Sequence, residues 1–213
     1  MRQNPLIDQR SRLPIVPLIL ALLLAGCART QPVAYYQLSA DLSCRSLLDA
    51  APINGRVIGI GPIRLQERLD RQQIIIRRDA HRLQLSASHR WIEPPSENIS
   101  QVIRENLATL LKTEGFRDYP WSRSAKVDYQ LIIDVVRFDG DGFEKAILET
   151  VWSIKDGEGK TLLPRRRSVY QAGTPTPDYE GVVVGLSETL NVFCREIARE
   201  LLLIAAEAPP PTS

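Results

Sequence analysis

Residues 127–172 read VDYQLIIDVVRF DGDG FEKAILETVWSIK DGEG K TLLPRRRSVYQA: three apolar-rich runs separated by two acidic, glycine-rich tetrapeptides. The runs Val127 to Phe138, Phe143 to Lys155 and Thr161 to Ala172 carry many β-branched and aromatic side chains, which suit a pleated, half-buried surface. Asp139-Gly140-Asp141-Gly142 and Asp156-Gly157-Glu158-Gly159 supply the residue types that tight reversals need. Three long strands folded as an antiparallel meander are therefore expected. The first tetrapeptide has the acidic and glycine content of a calcium loop but lacks the other ligands of the twelve-residue pattern, so it is read as a plain turn.

The period changes after the meander. Val182, Leu186, Leu190, Phe193, Ile197, Leu201 and Ile204 recur at three- and four-residue spacing within Asp178 to Glu207, the pattern of a long amphipathic helix whose apolar face must cover the sheet. A second such stripe, Ile99, Val102, Ile103, Leu107, Leu110 and Leu111, predicts a helix that Pro94-Pro95 prevents from starting earlier. Ser96 is its expected N-cap and Gly115 its stop. Further strands are expected at Val33 to Ser39 and Arg56 to Leu65, and a hairpin joining Ile74–Arg77 to Arg82–Leu85 around Asp79-Ala80. Gly59 and Gly61 interrupt the second strand and predict a bulge or a close backbone approach; a phosphate loop would need a lysine and a following helix that are missing. The order gives an α+β fold, a mixed, mostly antiparallel sheet with two main amphipathic helices packed on one face.

Upstream lies a different kind of segment. Arg2, Arg10 and Arg12 precede an apolar run, Leu13 to Leu24, that is short for a membrane span, and Leu24-Ala25-Gly26-Cys27 closes it in the form of a bacterial lipoprotein cleavage site. Residues 1–26 are accordingly expected to be a signal peptide and Cys27 the lipidated first residue, its acyl chains (palmitate among them) each held by about 0.8 kcal/mol per buried methylene. Residues 27–32 form a tether reaching under about 20 Å at about 3.5 Å per residue. Residues 33–207 make a single domain, and 208–213, with Pro209-Pro210-Pro211, a disordered tail. The formal charge of the 213-residue chain is +2, and removing Arg2, Asp8, Arg10 and Arg12 with the signal brings it to about zero. That argues against nucleic acid as a partner. Cys44 and Cys194 remain, and an oxidising periplasm permits a disulfide that would close a loop of about 150 residues, contributing about 4 to 5 kcal/mol in the chain-entropy picture. The rival is that Cys194 is a buried helical thiol.

Little in the chain points to catalysis. His81 and His89 are the only histidines, both near arginines that disfavour their protonated form, and neither a nucleophile elbow, a His-Glu-x-x-His helix nor a paired-cysteine metal spacing occurs. No enzyme activity, cofactor or metal is expected. Arg77-Arg78 with Arg82, and Arg165-Arg166-Arg167, could meet anionic head groups. In a strand, however, alternate residues face opposite sides, so a solvated edge that discourages aggregation is favoured.

Several segments in order, Tyr35-Tyr36-Gln37-Leu38, Ile58-Gly59-Ile60-Gly61-Pro62-Ile63, Leu69-Asp70-Arg71-Gln72-Gln73-Ile74, Arg90-Trp91-Ile92-Glu93-Pro94 and Glu105-Asn106-Leu107, resemble the PqiC/YmbA-type ABC-transport auxiliary lipoproteins. Gln72 departs from the family, which usually has proline there. The resemblance implies a periplasm-facing lipoprotein of the outer membrane that works with an MCE-domain protein and an ABC or integral-membrane partner in lipid transport, as a ring-like homo-oligomer. Ala28 after the lipidated cysteine, in place of aspartate, agrees with outer-membrane sorting. A docking component needs exposed Arg and Trp, which makes Leu69, Asp70, Arg71, Arg90 and Trp91 the candidate partner interface. A core role for Trp91 and a local turn for Asp70-Arg71 remain open, as does the different function of a pilotin-like lipoprotein that localises a secretion or surface component.

Overall fold

In chain order the elements are β1 (Ala34–Tyr36), β2 (Ile58–Leu65), β3 (Gln73–Arg77), β4 (Leu83–Trp91), α1 (Pro95–Leu111), β5 (Phe116–Asp118), β6 (Tyr129–Asp141), β7 (Lys145–Asp156), β8 (Thr161–Gly173) and α2 (Tyr179–Glu207). They come from a computed structural model that describes residues 32–41, 53, 55–122 and 124–208. Cys27, Cys44, the signal peptide, the tether up to Gln31 and the tail from Pro209 lie outside the described residues.

The meander forms as its turns require: β6 pairs antiparallel with β7 from Tyr129↔Asp156 to Asp141↔Lys145, and β7 with β8 from Lys145↔Gly173 to Lys155↔Thr161. The other edge of β6 is shared by β2, parallel along its first half, and by β3 at its end through Ile76↔Gly140 and Arg77↔Asp141. β4 pairs antiparallel with β3, and the short β1 and β5 add parallel to β4 and β2. The sheet is thus mixed, with its long ladders antiparallel, and the fold is α+β as the pattern indicates.

Both helices bury the stripes that define them. Ile99, Ile103, Leu107 and Leu111 of α1, and Val182, Leu186, Leu190, Phe193, Ile197 and Leu201 of α2, are enclosed against the inner sheet face. That face is built from alternate residues of the meander, Leu131, Ile133 and Val135 on β6 and Leu148, Trp152 and Ile154 on β7. A Cβ on Gly185 would stand 2.8 Å from the Ala146 Cβ, so the absent side chain lets α2 settle onto β7.

Several boundaries differ from the sequence expectation; β4, expected over Arg82–Leu85, runs from Leu83 to Trp91. α1 begins at Pro95 with Pro94 at its N-cap, because the Ser96 side chain is turned to a carboxylate elsewhere in the chain, and it ends at Lys112 in the left-handed conformation (φ 52°) rather than at Gly115. β6 continues through Asp139 to Asp141, because Asp139 is buried beside Arg77 (3.2 Å) and Arg137 (2.8 Å), so the reversal falls at Gly142 (φ +60°). β1 stops at Tyr36, where the following amides find side-chain partners. β5 was too short to carry a readable alternation and exists as an added edge to β2. The glycine signal in β2 holds: pairing with β6 shifts register between Ile60 and Ile63 around Gly61 (φ +115°), and a Cβ on Gly59 would come within 2.6 Å of the Trp121 ring.

A candidate docking site at the start of the first helix

Leu69, Asp70 and Arg71 lie in the connection from β2 to β3, and Arg90 and Trp91 end β4. The fold brings the two segments together: Gln73 pairs with Arg90, and the Trp91 amide donates to the Gln72 carbonyl at 2.7 Å. Within this cluster the roles divide. Leu69 and Trp91 are each 4% exposed and belong to the core, the Trp91 ring lying 6.1 Å from that of Phe138. Asp70 caps α1 from outside the helix, its Oδ1 accepting the Ser96 amide (3.2 Å) and its Oδ2 the Ser96 hydroxyl (3.0 Å). No residue at the helix start provides a side-chain cap, so this carboxylate satisfies a first-turn donor and sits at the positive end of the helix dipole.

Arg71 and Arg90 are half-buried, and neither makes an ion pair or a side-chain hydrogen bond among the described residues. Their Nε groups are enclosed without partners, as is Oε1 of Glu93 nearby. Enclosed Nε groups without partners occur also in Arg77 and Arg166, and what separates Arg71 and Arg90 from those two is that their guanidinium groups meet no carboxylate among the described residues.

The segment after β1 is held by both helices. Leu38 donates its amide to Asn98 Oδ1 (2.7 Å), Ser39 to Ser187 Oγ (3.2 Å) and Asp41 to Asn106 Oδ1 (3.0 Å). Asn106 also donates to Asn191 Oδ1 at 2.8 Å, joining α1 to α2 beneath this strap. These asparagines were missed as functional residues, although polar residues at buried positions of an apolar stripe, such as Asn106 beside Val102, Ile103 and Leu107, are a legible signal.

Of the two conspicuous basic clusters every arginine but Arg78 meets a carboxylate; Arg78 bonds Gln84 and lies over the Phe143 ring. On β8, Arg165 reaches Asp134 (2.7 Å) and Arg167 pairs with Glu149 on one face, whereas Arg166 turns to α2, bonding Glu196 and Glu200 at 3.0 Å and lying 4.8 Å above the Trp152 ring. Arg82 pairs with Asp79 at the hairpin tip. Hydrogen bonds from the His81 amide and the Arg82 side chain hold the Asp79 carboxyl below its usual range. His81 is exposed. His89 is half-buried instead, stacked on Tyr179 at 4.1 Å with Ser86 and Ser88 on its Nδ1. Cys194 is fully buried on α2, and burial pushes its thiol up to about 12. Among the described residues no group of acidic, histidine and cysteine side chains is arranged to hold a metal ion, and no helix is long and apolar enough to cross a membrane.

The model of the family described as ABC-type transport auxiliary lipoprotein component matches residues 36–198, from the end of β1 through most of α2. The chain belongs to this family. A solved protein from Xanthomonas campestris, described as DUF330, is similar to the auxiliary lipoprotein with 16% identity and a TM-score of 0.69 over 82% of this chain and 98% of that one. A crystal structure of an uncharacterised protein gives 15% identity and a TM-score of 0.65 over 80% and 99%. At these identities the likeness concerns the fold. No curated protein matches the chain. Family membership makes the auxiliary lipoprotein a membrane-anchored, periplasm-facing partner of an ABC transport system, in a family not known for enzymes.

Proposed function

We propose that the auxiliary lipoprotein serves an MCE-type system that moves lipid between the membranes of the envelope, acting without catalysis by docking to an MCE-domain protein and its ABC or integral-membrane components. The family match over residues 36–198 carries this reading. Lipidation at Cys27, after a signal of residues 1–26, would fix the domain of residues 33–207 on a short tether, and Ala28 favours the outer membrane. The resemblance also favours a ring-like homo-oligomer. Of the candidate interface, Leu69 and Trp91 are committed to the core and Asp70 to the helix start, which leaves Arg71 and Arg90 as the members with groups to offer outside the fold.

Purification of the tagged full chain from solubilised envelopes tests the reading. The MCE-domain protein and transporter subunits should be recovered with it, and the mass of the complex gives the stoichiometry; recovery of the lipoprotein with no MCE-domain protein overturns the proposal.

A further inference from the structure

Arg90 lies in an ordered row. Arg90 on β4 is paired with Tyr35 on β1 and with Gln73 on β3. Directly paired residues share a sheet face, and extended backbone returns to it every second residue, which adds Val33 and Ile92 at the ends of β1 and β4; Arg71 stands two residues before Gln73, in the bend that leads into β3. The opposite side of the same strands carries the buried Trp91, so this row looks away from the core. Its apolar members stand in solvent: Val33 is 38% exposed, Tyr35 56% and Ile92 56%.

The chemistry is that of a membrane–water boundary. A tyrosine and two aliphatic side chains sit beside two guanidinium groups that no carboxylate neutralises, whereas Arg77, Arg82, Arg165, Arg166 and Arg167 are all paired within the fold. The position agrees. Val33 follows Cys27 by six residues, a reach of about 20 Å at about 3.5 Å per residue, so an acyl anchor holds this end of the fold nearest the bilayer. We infer that the row Val33, Tyr35, Arg90 and Ile92, with Arg71 in the adjoining bend, is the face that rests on the membrane, with the two arginines on the phosphates of anionic phospholipid. This rests on lipidation at Cys27, and it reassigns to the membrane the two arginines left over from the candidate partner interface, so that protein partners dock on other faces.

The test uses the full chain, lipidated by its host and reconstituted in phosphatidylcholine vesicles with and without phosphatidylglycerol. Flotation first reads the anchor, and carbene footprinting then reads the surface. In phosphatidylglycerol vesicles, Val33–Tyr36 and Arg90–Ile92 should label about tenfold less than in detergent, while the β8 edge labels equally in both. Arg71→Glu with Arg90→Glu should still float and regain the labelling. Should that variant not fold, Tyr35→Ser with Ile92→Ser, both at exposed positions, must show the same recovery. Flotation with unchanged labelling of the row overturns the inference alone, as does loss of labelling only after the transporter partner is added. Failure of the wild-type chain to float removes the anchor and the inference with it.

Discussion

At Asp70 one carboxylate joins two stretches of chain, because its oxygens take the amide and the hydroxyl of Ser96 across 26 residues. Loss of a helix cap costs about 1 kcal/mol, so Asp70→Ala should lower the unfolding free energy read from urea by that amount and speed amide exchange in the first turn of α1. Trp91, 4% exposed on Phe138, belongs to a costlier class: removal of a buried indole costs about 3–5 kcal/mol. Trp91→Ala should therefore unfold at markedly lower urea, and a variant of wild-type stability that no longer binds its MCE partner would make Trp91 an interface residue instead. The sequence singled out both positions yet could not separate their roles. A tryptophan in Arg-Trp-Ile-Glu looks the same whether it points in or out, and an aspartate in Leu-Asp-Arg gives no sign of a serine that only tertiary structure brings near.

Among the elements, legibility followed length. β6, β7, β8 and α2 carry enough periods for their patterns to be read, and the α2 stripe from Val182 to Leu201 is buried as spaced. β5 has three residues and no period. The strap Leu38–Asp41 escaped for another reason: its amides are satisfied by Asn98, Ser187 and Asn106 rather than by a neighbouring strand, and such a match of backbone to side chain leaves no mark on local composition. The same bonds make a prediction. Asn106→Ala removes the acceptor of the Asp41 amide and the donor to Asn191 Oδ1, and an unsatisfied buried group costs about 1–3 kcal/mol. Stability should fall by that amount, with faster amide exchange at Ser39 to Asp41 and little change in the β6–β7 ladder. Uniform loosening of both would show that the strap is not a separate unit.

For the molecule as a whole, buried phenols give stability a pH dependence on the alkaline side. Burial first, and then its hydrogen bond to Glu196 (2.6 Å), raise the Tyr170 phenol above its usual value near 10; Tyr129 and Tyr36 move the same way, each chiefly by burial. Above that value the unfolded chain releases a proton that the folded one keeps, so the unfolded state binds fewer protons and stability falls as pH rises. The contribution is complete below pH of about 10 and is lost as pH climbs through the folded value. Tyr170→Phe should cost about 1 kcal/mol near neutrality and flatten, without abolishing, the fall of the urea midpoint above pH 10. Cys194 acts in the same direction from lower pH, since its thiol is pushed from 9.0 to about 12, but only while it carries a proton. A bridge to Cys44 would remove that component. Reduction would then steepen the alkaline loss, and mass spectrometry of the unreduced protein would find no alkylatable thiol among the pair. Equal slopes with and without reductant, together with two alkylated thiols after denaturation, would assign Cys194 to the core alone.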